Sequence, residues 1–152
     1  MLAAMQNPLI PLTECLRHAQ QRATIDLVVI SGDLTEDGDV EDYRYLKEQL
    51  HRLLGDVEII VTLGNHDIKS NFHIGWCGTA ASESPYNQVK CYSEMAIVAF
   101  DNSRYGASDG VVDEQQFHWL QQTLAELKNL PIVLVTHHHL LAHQSTTPVW
   151  PG

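Results

Sequence analysis

Three short motifs contain side chains that bind metals or transfer protons, and each motif directly follows an apolar run. The runs are residues 27–30, 58–63 and 132–136. The candidate residues are Asp33 after the first run, Asn65, His66 and Asp67 after the second, and His137, His138 and His139 at the end of the third. Oxygen and nitrogen ligands without thiolates suit manganese, iron or zinc, and a carboxylate can bridge two such ions. Together the motifs predict a divalent-metal site.

Each motif alone also has an ordinary structural interpretation. Asp33 and Asn65 are of residue types that commonly form turns or cap helices through local hydrogen bonds. A single histidine is more often a surface residue than a ligand. That interpretation applies to the histidines that lie away from strand ends, which are His18, His51, His73 and His118. The metal-site hypothesis therefore depends on the joint occurrence of the motifs at equivalent strand ends.

The apolar pattern predicts the strands that position the motifs. Residues 27–30, 58–63 and 132–136 are short runs rich in β-branched residues, which is typical of strands buried on both faces of a parallel sheet. Residues 89–93 and 95–101 read as an antiparallel hairpin with a very tight turn. Ligands gather outside the carboxyl ends of parallel strands, so we expect the three motifs to meet at one edge.

Helical spacing predicts three helices between these strands. They cover residues 12–23, 40–54 and about 113–127, with a shorter one near residues 72–76. Asp39 is the expected N-cap of the second helix and Gly55 its end. Asp113 and Gln116 resemble a capping box that opens the third. Its predicted core face consists of Phe117, Leu120, Leu124 and Leu127.

Composition limits the class of protein. The chain has 152 residues, of which 44% are hydrophobic, and residues 1–152 are predicted to form a single domain. No membrane span and no secretory signal are predicted, so the expected location is cytoplasmic. Cys15, Cys77 and Cys91 show no paired spacing and are interpreted as small core residues. The formal charge of −10 makes nucleic acid an improbable partner, because such binding depends on basic side chains.

The motifs also resemble those of a known family. Ser-Gly-Asp-Leu-Thr-Glu-Asp-Gly at 31–38, Gly-Asn-His-Asp at 64–67 and Val-Thr-His-His-His-Leu at 135–140, in that order, are similar to the calcineurin-like metallophosphoesterases. The phrase Gly-Val-Val-Asp-Glu-Gln-Gln-Phe-His-Trp-Leu at 110–120 makes the cyclic-nucleotide phosphodiesterase branch the nearest likeness. The resemblance implies an α/β fold, a β-sandwich flanked by helices in the order α-β-β-α.

The resemblance implies a role for each candidate residue. Asp33 corresponds to a carboxylate that bridges two metals and Asn65 to an amide ligand of the second metal. His66 corresponds to the histidine that contacts the phosphoryl group or protonates the leaving oxygen, and Asp67 is expected to orient it. Either His137 or His138 is the histidine ligand of the second metal. The implied reaction is metal-dependent hydrolysis of a small phosphoester, either a phosphodiester or a phosphomonoester.

Two further motifs of the family do not occur in residues 1–152. These are an Asp-x-His before the first helix and a Gly-His-x-His after the histidine strand. We therefore expect a truncated domain whose dinuclear site is incomplete and which alone is inactive. The alternative hypothesis is a non-catalytic fragment or degenerate family member that binds at most one metal. Sheet edges left without neighbours predict self-association into a homo-oligomer.

Overall fold

The computed structural model describes residues 9–140. Expectations that concern residues 1–8 and 141–152 lie outside this range. The helices are α1 (Leu9–Gln20), α2 (Val40–Leu54), α3 (Lys69–Phe72) and α4 (Glu114–Glu126), and a π-helical turn (His73–Cys77) continues α3. The strands are β1 (Leu27–Ser31), β2 (Glu58–Thr62), β3 (Gln88–Cys91), β4 (Ala96–Ala99) and β5 (Ile132–Val135).

The strands form two separate sheets. In the first sheet β1 pairs with β2 in parallel, with Leu27 opposite Glu58. In the second sheet the order is β3-β4-β5; β3 and β4 form the predicted antiparallel hairpin, and β4 and β5 are parallel. The three motif strands are therefore divided between two sheets, and the expectation that they share one sheet edge is wrong.

Helices cover the outer face of each sheet. The first sheet packs on α1, α2 and the turn through a cluster that includes Leu16, Leu46 and Val61. The second sheet packs on α4 through a cluster that includes Val98 and Leu120. Both contacts are apolar, so burial of hydrocarbon surface holds each helix on its sheet.

The inner faces of the two sheets pack on each other. Ile60 of β2 contacts Ile97 and Ala99 of β4 in a small inter-sheet cluster. The hydroxyl of Thr62, which is fully buried, donates to the carbonyl of Phe100 at 3.3 Å and so links the sheets by a hydrogen bond. The order of layers is thus α-β-β-α, which confirms the predicted fold class.

β1 and β5, which form one flank of the sandwich, are less buried than the sequence predicts. Val29 in β1 is 40% exposed and Val133 in β5 is 45% exposed. Their neighbours Val28 and Leu134 pack toward the helices, so Val29 and Val133 lie on the inter-sheet faces by the alternation of a strand. The sandwich is open along this flank, and the expectation of burial on both faces is wrong for β1 and β5.

Several local expectations also changed. The capping box of Asp113 and Gln116 is confirmed. Asp39 occupies the N-cap of α2 with extended dihedrals, but its side chain makes no capping hydrogen bond there. Phe117 was placed on the core face of α4 and is 55% exposed, because Gln116 turns inward to donate to the carbonyl of Asp101. Hence Gln116, Leu120 and Thr123 form the buried stripe.

Two of the three cysteines lie outside the core. Cys15 and Cys91 are exposed, so their interpretation as small core residues is wrong, whereas the half-buried Cys77 packs against the core cluster. Cys15 lies on the outer side of α1 and Cys91 at the end of β3, where the sheet gives no cover. Among residues 9–140, no helix combines the length and the apolarity needed to cross a membrane.

Candidate functional site

The loop after β1 presents Asp33 in a conformation that few residues adopt. Gly32 has a φ of +99° and Asp33 a φ of +50°, and Asp33 is the one non-glycine residue with positive φ in the described chain. Aspartate tolerates this left-handed region better than most residues, and outliers of this kind cluster at functional sites. The two dihedrals bend the chain sharply away from β1, toward the ends of β2 and β5.

The loop after β2 approaches Asp33 at the position of Gly64. A Cβ on Gly64 would lie 2.1 Å from Oδ1 of Asp33, so only glycine permits this approach. The backbone N–H of His66 donates to the same Oδ1 at 3.1 Å. The carboxylate of Asp33 is thereby fixed by the loop that contains Asn65 and His66.

His137 brings the third motif to the same place from the other sheet. Its Nδ1 lies 2.8 Å from the carbonyl oxygen of Ser31, at the end of β1. A carbonyl only accepts, so Nδ1 carries the hydrogen and, in the neutral ring, Nε2 carries the lone pair. That Nε2 lies 3.3 Å from Oδ1 of Asn65 and 3.5 Å from Oδ2 of Asp33. Two oxygens with lone pairs, from Asn65 and Asp33, therefore lie within 3.5 Å of the lone-pair nitrogen of His137.

His138 occupies a different environment from His137. It is buried, with 8% of its surface exposed, and its Nε2 has no hydrogen-bond partner in the described chain. Burial lowers the pKa of His138, and the neighbouring His137 lowers it further. Its backbone N–H and carbonyl bind the side-chain amide of Asn102 at 3.2 and 2.9 Å, so the backbone of His138 anchors the loop. The contacts with Asp33 and Asn65 belong to His137.

Asp67 links the loop after β1 to the loop after β2 by hydrogen bonds. Its carboxylate accepts from the backbone N–H of Gly64 at 2.8 Å and of Leu34 at 3.2 Å, and from the hydroxyl of Tyr43 at 3.0 Å. The Tyr43 hydroxyl in turn accepts from the N–H of Ile68. We call this group, Asp67 with Tyr43, the clamp.

Burial sets the protonation behaviour of the clamp. Asp67 is 1% exposed, and this desolvation raises its pKa although three donors favour the carboxylate. Desolvation also raises the pKa of Tyr43 far above its usual value, and the charge of Asp67 adds to that rise. Tyr43 therefore stays a phenol that can donate to Asp67 across the accessible pH range.

His66 is held by the first loop and not by Asp67. Its Nδ1 lies 3.0 Å from the carbonyl oxygen of Glu36 and 3.7 Å from the Glu36 carboxylate. The expectation that Asp67 orients this imidazole is wrong, because the oxygens of Asp67 are directed to the clamp contacts. The carbonyl of Glu36 raises the pKa of His66, and nearby carboxylates add smaller contributions. The ring remains accessible, with 42% of its side chain exposed.

A buried polar group after β4 was not recognised from the sequence. Asp101 is fully buried and binds Nζ of Lys69 at 2.5 Å, the hydroxyl of Ser103 at 2.6 Å and the N–H of Tyr86 at 2.9 Å. This network joins the loop after β4 to α3. The available signal was a carboxylate directly after an apolar strand, the same signal that identified Asp33.

The converging donors can be compared with what a cation requires. Two ligands of one zinc-sized ion lie roughly 3–3.5 Å apart, given bond lengths near 2.1 Å. The separations from Nε2 of His137 to Asn65 and Asp33 match this spacing. No group of three or more His, Cys, Asp or Glu side chains in residues 9–140 is arranged to hold a metal, so the amide of Asn65 is needed as the third donor. With it, the donor set matches the spacing around one divalent ion at the two separations that involve His137.

Comparison with known proteins agrees with these features. The family profile described as calcineurin-like phosphoesterase matches residues 6–149. The chain is 32% identical over 136 residues to a probable cyclic nucleotide phosphodiesterase of Xenorhabdus bovienii, covering 84% of this chain and 51% of that relative. It is 30% identical over 131 residues to a probable glycerophosphodiester phosphodiesterase of Arcobacter nitrofigilis, covering 84% and 47%.

A third relative is the 3',5'-cyclic adenosine monophosphate phosphodiesterase of Escherichia coli. It is 28% identical over 128 residues, which cover 84% of this chain and 44% of that protein. The chain thus spans about half the length of these relatives. Because the family profile matches nearly all of its residues, the chain belongs to the calcineurin-like phosphoesterase family.

Proposed function

We propose that this chain carries part of the active site of a metal-dependent phosphodiesterase. Asp33, Asn65 and His137 would hold one divalent cation, and His66 would act on the phosphoryl group. The proposal is supported chiefly by the convergence of Nε2 of His137 with the oxygens of Asn65 and Asp33. Lone pairs that face one another repel, and a divalent cation between them would remove that repulsion. Family membership supports the same reading, since calcineurin-like phosphoesterases use divalent metals.

The proposal distinguishes the two histidines that the sequence left open. His137 has the contacts of a ligand, and its Nδ1–H bond to Ser31 fixes the tautomer that leaves Nε2 available. His138 contributes its backbone to the Asn102 anchor and keeps its imidazole buried. We therefore assign His137 as the ligand and His138 as a supporting residue.

Each remaining residue would have a defined task in hydrolysis. A bound divalent ion supplies charge neutralisation and an activated nucleophile to the phosphoester. His66 lies beside Asp33, is accessible, and has a pKa raised by the Glu36 carbonyl, so it can hold a proton for the leaving oxygen. The clamp keeps Asp33, Asn65 and His66 in register, because Asp67 binds the backbone of both loops.

The substrate class follows from charge. The chain carries a formal charge of −10, which opposes binding of long polyanions and leaves a small phosphoester as the expected substrate. The relatives are named for cyclic nucleotides and for glycerophosphodiesters, which are both small diesters. Bound cations would compensate the substrate charge that the protein itself does not.

A second candidate function is non-catalytic binding of a single ion. It is favoured by the donor set in the described chain, which has three ligands, one of them a neutral amide. Such a set leaves an open site of low affinity. The two candidates differ in turnover and not in the residues that bind the first ion.

Metal titration tests the proposed ligands directly. We expect the chain to bind about one Mn²⁺ weakly. Binding can be measured by isothermal titration calorimetry or by the loss of the electron paramagnetic resonance signal of free Mn²⁺. Asp33→Asn and His137→Ala should each weaken binding tenfold or more. His138→Ala should change the affinity much less, and His118→Ala, on the exposed side of α4, serves as the matched histidine control. Unchanged affinity in His137→Ala together with a large loss in His138→Ala would reverse the assignment.

The role of His66 needs a separate test, in a preparation with measurable hydrolysis. His66→Ala should retain the metal but lose turnover by roughly 10²–10⁴ if it supplies the proton. A nitrophenyl diester needs little protonation of its leaving group, so its hydrolysis should suffer less than that of an alkyl diester. Equal losses for both substrates would show that His66 acts electrostatically and not as an acid.

A further inference from the structure

A cleft of about 480 Å³ is lined by Asp67, the residue after His66, and by none of the three proposed metal ligands. Its lining includes Asp67, Ile68 and Lys69 together with Arg104 and Tyr105. The N–H of Gly106 donates to the carbonyl of Asn65 at 2.8 Å, which fixes the Arg104 and Tyr105 loop against the loop of the proposed site. The cleft volume lies within the usual range for small-molecule sites.

Tyr105 is the most exposed large hydrophobic side chain of the described chain, at 60%. Tyr105 lines the cleft and is next in sequence to Arg104. In residues 9–140 the Arg104 guanidinium makes no hydrogen bond or ion pair, whereas Lys69 is occupied by Asp101 and Ser103. An accessible aromatic ring and an uncommitted planar cation therefore both line this cleft.

This pairing selects among the organic groups that a phosphodiester could carry. An aromatic face and a guanidinium plane both stack on flat, electron-rich rings. A quaternary ammonium group would be repelled by Arg104, and a glycerol group offers no surface for stacking. Glu83 also lines the cleft and can accept a hydrogen bond from a ring amino group.

We propose that the cleft binds the heterocyclic base of a nucleoside-type phosphoester, with Tyr105 and Arg104 as the specificity-determining residues. Its reading as the organic-group subsite rests on the proposed function, because only the metal site places a phosphoryl group beside it. The recognition of the base itself requires no metal. The two ideas can therefore fail independently.

Saturation-transfer NMR with adenosine and with glycerol tests the cleft without a metal. We expect adenosine to receive saturation from the chain, mainly at its base protons, and glycerol to receive little. Tyr105→Ala should weaken adenosine binding about tenfold or more, and Arg104→Ala by a smaller factor. Tyr45→Ala is the matched control, since Tyr45 is 50% exposed on α2 and lines a different groove.

The outcomes separate the hypotheses. Adenosine binding that survives Tyr105→Ala, or that is lost in Tyr45→Ala instead, would overturn the cleft assignment. Equal transfer to glycerol and adenosine would overturn the base specificity. Absence of adenosine binding in a chain that still binds Mn²⁺ would reject the cleft and leave the proposed function intact. Adenosine binding in a chain that does not bind Mn²⁺ would reject the proposed function and leave the base-binding cleft intact.

Discussion

The middle and the flank of the sandwich contribute to the same site but differ in how firmly they are built. β2 and β4 lie in the middle, where Val61, Val98 and Phe100 are almost completely buried. β1 and β5 lie at the flank, where inward-facing Val29 and Val133 are 40% and 45% exposed. Asn65 and Asp67 follow a middle strand, whereas Asp33 and His137 follow the two flanking strands.

The difference shows that the site is assembled across a boundary in packing. Buried apolar contacts fix the loop after β2, but little packing fixes the loops after β1 and β5. Polar contacts compensate at each flanking loop: the clamp binds Leu34 after β1, and Asn102 binds the backbone of His138 after β5. Hydrogen bonds to residues that follow β2 and β4 therefore position the ligands on the flanking strands. Removing those hydrogen bonds should disrupt the site.

The largest effect should come from removing the acid of the clamp. Asp67→Ala leaves the N–H groups of Gly64 and Leu34 and the hydroxyl of Tyr43 without their acceptor in a buried place. We expect the free energy of unfolding to fall by about 3–5 kcal/mol, measured by urea denaturation. Asp56→Ala, an exposed aspartate in the loop before β2, is the control and should change it by less than about 0.5 kcal/mol. A loss below about 1 kcal/mol would show that the clamp does not hold the loops.

A smaller loss is expected from Tyr43→Phe. This change removes one donor to Asp67 and the acceptor of the Ile68 N–H while keeping the buried ring, so the unfolding free energy should fall by about 1–2 kcal/mol. Mn²⁺ affinity should also fall, because the clamp orients Asp33 through the loop. Tyr86→Phe is matched, since that ring contacts the same Phe72 but its hydroxyl bonds to Gln88. Equal effects of the two variants would contradict a special role for Tyr43.

The open flank predicts association of the chain with itself. Exposed inward-facing valines next to strand edges that have no partner in residues 9–140 favour pairing with another chain. Light scattering on the purified chain should report species larger than a monomer, and Val133→Lys should reduce their amount. Val112→Lys, at a valine of similar exposure outside the strands, should not. A monomeric wild-type chain at high concentration would contradict this prediction.

The smallest effect concerns an ion pair between the sheets. Lys90 pairs with Glu58, and the hydroxyl of Tyr92 donates to Glu58 at 2.7 Å; these bonds lower the pKa of Glu58. A lowered folded pKa stabilises the protein above the unfolded value near 4.5 and is lost as the pH falls through the folded value. Glu58→Gln should therefore cost less than about 1 kcal/mol at pH 7. The difference from wild type should shrink as the pH falls below 4.5 and the folded carboxylate takes up its proton, and a difference that stays constant across this acid range would exclude the ion pair as its cause.

Local signals explain what could be predicted from the sequence. Strand ends, the hairpin and the capping box depend on neighbouring residues, so the positions of Asp33 and of the Asn65 loop were predictable. The partner of each side chain depends on residues distant in the chain. Lys69 and Asp101 are separated by 32 positions, and Tyr43 and Asp67 by 24. Neither pairing has a periodic signature, and the same limitation hid the choice between His137 and His138.

The prediction of which face of α4 is buried was wrong for a related reason. Apolar periodicity placed Phe117 on the core face, but a polar residue, Gln116, gained a buried carbonyl partner at Asp101. Satisfying that carbonyl outweighs the apolar preference of a single phenylalanine, because an unpaired buried acceptor costs free energy comparable to burial of a side chain. Amphipathic patterns are therefore least reliable beside polar networks.

The absence of a side chain at Gly64 limits how this site can change during evolution. Gly64 has an ordinary φ, so alanine would be acceptable to the chain itself, and yet one added methyl group would collide with the carboxylate of Asp33. A single-base substitution at this codon could displace the ligand while leaving β2 and its packing in place. Lineages that lose the chemistry could thus keep the fold, and the residue at position 64 offers a simple marker for distinguishing active homologues from inactive ones.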